Sequence, residues 1–552
     1  MKGGLVTMIT TTRAIRLLLP LILIFLTQVS IADSQTDAKT DETLDTTVAV
    51  IGNITIQTNN VFDTTNPEEN KSLYRLVNRL HIVTRQSVVR SQLQLHPGDN
   101  FSVQKLRESE RLLRQNRFLY DANIVPSLVQ PGVVDLIVKT RDNWTLLPTF
   151  SVSSSGGENR HRYGIKEQNL FGTGTQINVE KVVDDDRNST IFEFSDRNLG
   201  RSWLRLDLLY RNSSDGDAQR MRLTRPFYAL TARWAAGIDL GANDRVESLY
   251  SIGEVVAKYR HDEELATAWF GWSSGLVDNW SRRWSVGYKI DESRFEIETD
   301  PEFPSLDLRD RSLHYPLLRY EAIEDQFQIT RNLDNIGRTE DVYLGTSYSA
   351  TIGFLSSSFG ADQSGLLFDG SLQKSIGSPA NRLLVFSANA AGRYESGHFQ
   401  NTLVEVRAEH YVRQTENRLF YASLRSAVGK QLDIDNPITL GGKSGLRGYP
   451  RSYGNGDMLA LLTLEQRYYT NWYPFRLFRV GGAVFADVGR TWGNDVTGRS
   501  DHRVHANLGV GLRLAATRGN SNKVLHIDLA VPLRNDSSID GIQIIVEAKR
   551  GF

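Results

Sequence analysis

From residue 146 onward, the chain is a succession of segments of about ten residues in which apolar and polar residues alternate. In NLGVGLRLAA, for example, Leu508, Val510 and Leu512 share one face, and Asn507 lies on the other. A period of two is the pattern of a β-strand, and ten-residue alternating strands separated by turn residues are typical of transmembrane barrels. We count about twenty such segments and find no convincing helix among them.

The second face of these segments is too charged to contact lipid. In LVEVRAEHYVR it carries Glu405, Arg407, Glu409 and Arg413, and a charge facing lipid at the bilayer centre costs about 2–4 kcal/mol. We therefore expect these side chains to line a polar interior. A soluble barrel or sandwich with its apolar face inward is the alternative, but aromatic clusters at segment ends, such as YYTNWYPFRLF, favour a membrane interface.

The N-terminus has the pattern of a secretory signal peptide. Basic residues precede an apolar run at residues 17–26, and small residues precede Asp33. We predict a signal peptide over residues 1–32, with an uncleaved membrane anchor as the alternative, and a flexible linker over residues 33–46. Further along, no apolar run reaches the roughly 18 residues of a spanning helix, so a membrane-embedded chain would have to cross as strands.

Composition and motifs favour no enzyme class. The chain has no cysteine, ten scattered histidines and a formal net charge of zero, which excludes thiolate metal sites and gives no reason to expect a nucleic-acid partner. Residues 442–444, Gly-Lys-Ser, resemble the end of a phosphate-binding loop, but the glycine that such a loop needs at position 437 is replaced by Pro437. We assign no catalytic, metal-binding or cofactor-binding residue and expect no cofactor.

Residues 47–143 predict a small α+β domain in front of the strand-rich region. The alternating stretch VAVIGNITIQ is a strand, Thr84 and Val103 begin two helical patterns, and ANIVPSLV and VVDLIVKT are two further strands. Apolar residues at helical spacing between Leu73 and Leu80 indicate a short helical insertion. The fold class is therefore mainly β: an α+β domain followed by an antiparallel barrel at residues 144–552.

Two motifs resemble those of the bacterial surface-antigen barrels of the BamA/TamA superfamily. The first is LRGY at residues 446–449, where that family usually has Val-Arg-Gly-Tyr/Phe, and the second is FADVG at residues 485–489, its Phe-x-Asp-x-Gly strand motif. The resemblance implies a barrel of about 16 strands or more. It also identifies residues 47–143 as one POTRA-like domain, and a single such domain favours an accessory or specialised member of the family.

Alternation along VGGAVFADVG directs Phe485, Asp487 and Gly489 into the barrel. If the loop at residues 433–457 folds back into the lumen, the guanidinium of Arg447 reaches Asp487 in a charge-assisted pair that fixes the loop more than it adds net stability. The alternative is that Arg447 lies on an exposed loop. The predicted loop lock consists of Arg447, Asp487, Gly448, Tyr449, Phe485 and Gly489.

The resemblance implies a protein of the bacterial outer membrane, with its N-terminal domain in the periplasm, that assists insertion of barrel proteins or passage of polypeptides. Its expected partners are outer-membrane lipid, unfolded outer-membrane or secreted polypeptides and periplasmic accessory proteins. The Ser/Gly-rich first strand, at residues 145–157, is expected to pair weakly with the last, where Ile544, Val546 and Phe552 are assigned to a C-terminal assembly signal on the lipid face. A passive outer-membrane pore or surface receptor is the alternative function.

Overall fold

The computed structural model describes residues 49–155, 158–298, 308–495, 501–519, 523–534, 539 and 541–549. The predicted signal peptide, the predicted linker and Phe552 lie outside these residues. In the part of the chain that is described, no helix is both long and apolar enough to cross a membrane.

An α+β domain comes first, and its elements follow the expected order of strand, helices and two strands. They are β1 (Val50–Asn59), α1 (Ser72–Leu80), α2 (Gln86–Arg90), α3 (Val103–Arg114), β2 (Leu119–Gln130) and β3 (Val133–Asp142). In the sheet, β3 lies in the middle, parallel to β1 and antiparallel to β2. Alternation along β3 buries Val134, Leu136 and Val138 in one core with Val89 of α2 and Leu113 of α3.

A closed antiparallel barrel follows, and it confirms the predicted fold class. Its strands are β4 (Leu146–Ser155), β5 (Glu158–Leu170), β6 (Thr175–Asp184), β7 (Asn188–Leu199), β8 (Leu204–Ser213), β9 (Gly216–Arg225), β10 (Trp234–Ser251), β11 (Glu254–Val277), β12 (Trp280–Ile297), β13 (Arg311–Glu324), β16 (Thr346–Leu355), β17 (Gly365–Gly377), β18 (Arg382–Glu395), β19 (His398–Thr415), β20 (Arg418–Lys430), β23 (Met458–Tyr469), β24 (Phe478–Trp492), β25 (His505–Ala516), β26 (Val524–Pro532) and β27 (Gln543–Lys549). In the described residues the barrel has twenty strands. This number exceeds the value of about 16 that the family resemblance implied, and it agrees with the count of about twenty alternating segments in the sequence.

Alternation along the strands separates an apolar outer surface from a polar interior. On β25, Leu508, Val510 and Leu512 are exposed on the outside, whereas Asn507 and Arg513 are fully buried inside. Because neighbouring side chains on a strand point to opposite faces, each strand contributes to both surfaces at once. The outer surface has the apolar character that a barrel presents to lipid.

Two chain segments fold against the inner wall of the barrel, one at each end. We call the barrel end next to the α+β domain the proximal end and the other the distal end. The lumen loop, residues 431–457, joins β20 to β23 at the distal end and contains a short ribbon of β21 (Ile438–Leu440) and β22 (Gly454–Gly456). The mouth hairpin, residues 326–344, joins β13 to β16 at the proximal end and pairs β14 (Phe327–Arg331) with β15 (Thr339–Tyr343).

Candidate functional site: the lumen loop and the barrel seam

The tip of the lumen loop is a tight turn that directly precedes Leu446 and Arg447. Gly442–Ser444 form a single 3-10 turn, and Gly445 follows in the left-handed region at φ 110°. The helix that a phosphate-binding loop requires is therefore replaced by a chain reversal. Leu446 and Tyr449, on either side of Arg447, are buried in the apolar core of the loop.

Arg447 contacts the inner wall of the barrel through all sides of its guanidinium group. Its Nε and Nη2 donate to the two carboxylate oxygens of Asp487, each at 2.8 Å, and its Nη1 donates to Glu465 Oε1 at 2.8 Å. The guanidinium also stacks 3.4 Å from the centre of the Phe485 ring. A planar group that makes a bidentate pair and a ring stack can be supplied only by arginine.

The partners of Asp487 come from the two neighbouring strands at the same height. Asp487 faces Thr463 of β23 and Asn507 of β25 in the strand register. Thr463 Oγ1 donates to it at 3.0 Å, and Asn507 Nδ2 donates at 2.9 Å. With Arg447, this fully buried carboxylate accepts four hydrogen bonds, which compensate for its removal from water.

Two glycines allow the loop to approach the wall so closely. A Cβ at Gly448 would lie 2.6 Å from Cβ of Asn507, and a Cβ at Gly489 would lie 2.9 Å from Cδ2 of Leu440. Both distances are below normal van der Waals contact. The Gly448 N–H also donates to Asn507 Oδ1 at 3.1 Å, and the Tyr449 hydroxyl donates to the Ala506 carbonyl at 3.2 Å.

The charges around Arg447 form a balanced buried network on four consecutive strands. Arg447 of the lumen loop is joined there by five wall residues: Glu465 and Arg467 of β23, Asp487 of β24, Arg513 of β25 and Asp528 of β26. Burial disfavours the charge on Arg447, but Asp487 and Glu465 outweigh it and raise the pKa of Arg447 above its usual value. The guanidinium therefore stays charged at every physiological pH.

The beginning of the lumen loop binds a different part of the barrel wall. Asp433 pairs with Arg311 of β13 at 2.9 Å and with Arg393 of β18 at 2.8 Å. Asp435 pairs with the same Arg311 at 2.8 Å. The loop thus crosses the lumen and is fastened to the wall on both sides.

The junction between the first and last barrel strands, which we call the seam, is weakly paired. Within the described residues, the register between β4 and β27 contains one residue pair, Val546 with Ser154. On its other side, β27 pairs with β26 over seven residues, from Gln543 to Lys549. Ile544 and Val546 lie on the outer face, with Ile544 exposed and Ile545 buried, whereas Phe552, the third residue of the predicted assembly signal, lies outside the described residues.

The mouth hairpin lies between the α+β domain and the barrel wall. At its tip, Leu333 and Ile336 pack into an apolar cluster with Tyr411, Leu419 and Tyr469. The Leu333 carbonyl accepts a hydrogen bond from the Tyr469 hydroxyl at 2.8 Å. Toward the domain, Arg114 of α3 makes a bidentate pair with Asp341, at 2.9 and 2.6 Å.

The structure thus brings together all six residues of the predicted loop lock. Sequence reasoning missed Glu465 and Thr463 as partners, and it missed the mouth hairpin. The signal for the two partners was present, because residues 463 and 465 share the inward parity of β23 and stand opposite Asp487 and Phe485. In the described ranges, no group of three or more His, Asp or Glu residues is arranged to hold a metal ion.

Comparison with known proteins identifies the family. Residues 169–548 match the Omp85 superfamily domain. Among solved structures, BamA from Haemophilus ducreyi lacking POTRA domains 1–3 is 14% identical, with 90% of this chain and 84% of that chain covered and a TM-score of 0.39. CdiB from Acinetobacter baumannii is 14% identical, with 91% and 73% covered and a TM-score of 0.45. No curated protein matches the chain.

The Omp85 match spans most of the barrel and includes both motifs of the predicted resemblance, which it confirms. Proteins of this family are outer-membrane barrels without enzymatic activity, and they act on unfolded polypeptides in assembly or transport. The chain therefore belongs to the Omp85 superfamily.

Proposed function

We propose that this protein inserts barrel proteins into the outer membrane, or passes polypeptides across it, by opening the seam between β4 and β27. The observation that carries the proposal is that, in the part of the chain that the structure describes, these strands share one residue pair. Strand edges that separate easily expose N–H and C=O groups, and such groups pair readily with another extended chain. A nascent strand is the partner that this edge fits.

The loop lock has a role in this mechanism: it braces the barrel on one side of the seam. Its wall contacts lie on β23, β24, β25 and β26, the four strands that precede β27. Arg447 reaches three of them through carboxylates, and Gly448 reaches β25 through Asn507. Because the contacts of Arg447 and Gly448 hold these four strands together on the lumen side, separation of β4 from β27 does not extend to the neighbouring strand pairs.

The α+β domain is POTRA-like and lies in the periplasm, where it receives extended polypeptides or accessory proteins. Its edge strand β2 pairs only with β3 among the described residues. Near the far end of β2, Val125, Leu128 and Val129 are exposed. An unpaired edge with apolar side chains is suited to strand addition, in which main-chain hydrogen bonds supply the affinity.

The occupied lumen disfavours the alternative of a passive pore. The lumen loop crosses the distal half, and the mouth hairpin packs against the wall at the proximal end. Open conduction would require both segments to leave, and each is held by buried contacts.

A disulfide across the seam tests the proposal, and the absence of native cysteines makes the pair unambiguous. Ser154→Cys with Val546→Cys joins the one paired position of β4 and β27. In cells that depend on this variant, oxidation should deplete a defined set of outer-membrane or secreted proteins in quantitative proteomics, and reduction should restore them.

Leu529→Cys with Ile544→Cys is the matched control, because these residues pair on the same outer face across β26 and β27, which are paired over seven residues. Oxidation of the control should leave the proteome unchanged. An unchanged proteome in the seam variant, combined with altered solute permeability, would favour the pore instead.

A further inference from the structure

Helix α1 exposes an apolar face that the packing of the domain does not use. Leu73, Leu76 and Leu80 are 59%, 48% and 64% exposed, and Ile82 just beyond the helix is 54% exposed. At 3.6 residues per turn the three leucines fall within about 60° of the helix circumference. A row of large apolar side chains on a nine-residue helix is a surface that requires a partner.

A second side of α1 attaches the helix to the barrel rim. The Tyr74 ring stacks on Phe62 with ring centres 4.4 Å apart, and its hydroxyl donates to the Phe475 carbonyl at 2.6 Å. Val77 packs into the same small cluster with Trp144 and Leu477. The helix therefore rests on the turn at residues 470–477, which joins β23 to β24 at the proximal end.

That turn marks the edge of the lipid-facing surface of the barrel. Trp472 and Phe475 are strongly exposed, and Tyr468 and Phe478, which flank the turn on β23 and β24, are exposed on the outer face. Aromatic residues of this kind collect where a barrel surface meets the lipid headgroups. Because Tyr74 holds α1 against Phe475 of this turn, the leucine face of the helix lies close to the edge of the lipid-facing surface.

The third side of α1 is basic. Lys71, Arg75 and Arg79 are exposed and fall on an arc of about 80° that is separate from the leucines. A helix with one apolar face and one basic face is suited to lie in the plane of a membrane interface, where its cations meet phosphate groups.

We propose that α1 is a membrane-interface anchor: its leucines insert among the lipids of the leaflet at the proximal end, and its basic side contacts phospholipid headgroups. The helix then holds the α+β domain to the bilayer as well as to the barrel. This anchor requires only the outer-membrane barrel and is independent of whether the seam accepts polypeptides.

The experiment uses single cysteines in the full-length, naturally cysteine-free chain, each carrying a nitroxide spin label. Leu80→Cys reports on α1, and Leu128→Cys is the matched control in the same domain, since both leucines are 64% exposed. Leu128 lies next to the β2–β3 turn, roughly 25 Å of strand away from the barrel. The protein is placed in nanodiscs of phosphatidylethanolamine and phosphatidylglycerol, and relaxation by oxygen and by a water-soluble nickel chelate is measured.

Oxygen concentrates in lipid and the nickel chelate in water, so the two quenchers distinguish the possible surroundings of the label. We expect the label at position 80 to be relaxed several-fold more by oxygen than by nickel, and the label at position 128 to show the reverse. Nickel access at position 80 equal to that at position 128 would overturn the proposal. Protection of position 80 from both quenchers would overturn it too, because the face would then be covered by residues before Ala49, a second copy or another protein. Leu76→Cys, one turn earlier on the same face, provides an independent second position.

Discussion

The lumen loop and the mouth hairpin both fill the barrel interior, but they are held by different forces. The lumen loop is fastened by charged pairs to the inner wall: Arg447 to Asp487 on one side and Asp433 to Arg311 on the other. The mouth hairpin is fastened to the wall by the apolar cluster around Leu333 and by hydrogen bonds from Arg467 and Tyr469 to the Leu333 carbonyl. Its bidentate ion pair joins it to the α+β domain.

This difference indicates that the two segments respond to different events. The lumen loop touches the barrel wall and no part of the α+β domain in the described contacts, so a movement of the domain reaches it indirectly, through the hairpin and Arg467. The mouth hairpin is shared between the barrel and the domain, through Leu333 and Asp341 respectively. We therefore expect a displacement of the domain to act on the hairpin first.

Removing the arginine of the lumen loop should have the largest effect. Arg447→Ala leaves Asp487 and Glu465 without their shared cation in a buried site, and loss of one partner from a buried pair costs about 3–5 kcal/mol. We expect a lower temperature for loss of the folded band in semi-native electrophoresis and new protease cleavage within residues 431–457. Arg451→Ala, in the same loop but with a half-buried side chain paired to Asp186, should change both by much less. Equal behaviour of the two variants would contradict the buried charge network.

The hairpin should instead be sensitive to an apolar deletion. Leu333→Ala removes a buried side chain from the cluster with Tyr411 and Tyr469, which typically costs about 2–5 kcal/mol. Hydrogen exchange should accelerate across residues 327–343, with no change in the lumen loop. Ile329→Ala, on the same hairpin at an exposed position, is the control and should alter exchange little. Faster exchange in the lumen loop of the Leu333 variant would mean that the two segments are coupled.

The sequence predicted the contacts of the lumen loop but not those of the mouth hairpin, and the reason is physical. Arg447 and Asp487 could be paired because alternation fixes the inward face of β24 and the motif places the arginine at a loop tip. The same alternation yielded about twenty segments, the number of strands observed. The hairpin strands are only five residues each, too short for a periodic signal, and the contacts of Leu333 and Asp341 lie far away along the chain. Contacts of that kind are set by the closed barrel and leave no local pattern.

A smaller effect is expected where the hairpin meets the domain. Asp341→Asn removes the charge that Arg114 binds at a partly buried interface, and hydrogen bonds to charged groups are worth about 1.5–3 kcal/mol. Exchange in residues 327–343 should rise while the barrel stability stays unchanged. Asp262→Asn, whose pair with Arg294 is exposed at 3.6 Å, should have no measurable effect. An Asp341 variant that behaves like the Asp262 variant would show that the domain does not hold the hairpin.

The last expected effect is a pH dependence that belongs to the hairpin alone. Burial and the neighbouring Asp334 raise the pKa of Glu340 to about 7, although its carboxylate accepts hydrogen bonds from the N–H groups of Leu333 and Asp334. A solvated glutamate in an undocked hairpin titrates near about 4.3, so the docked state holds the proton between these two values. Docking is therefore strongest below about pH 4 and weakens by about 1 kcal/mol per pH unit up to pH 7, above which it levels off.

Hydrogen exchange of residues 327–343, corrected for the intrinsic pH dependence of exchange, measures this trend. Glu340→Gln keeps one of the two acceptor oxygens and cannot ionise, so it should abolish the difference between pH 5 and pH 7. The lumen loop is the internal control, because Arg447 stays charged throughout this range. If the loop followed the same pH profile, or if the Gln variant retained it, the titrating group would have to lie elsewhere, and the hairpin would not be the separate pH-sensitive element that its buried glutamate indicates.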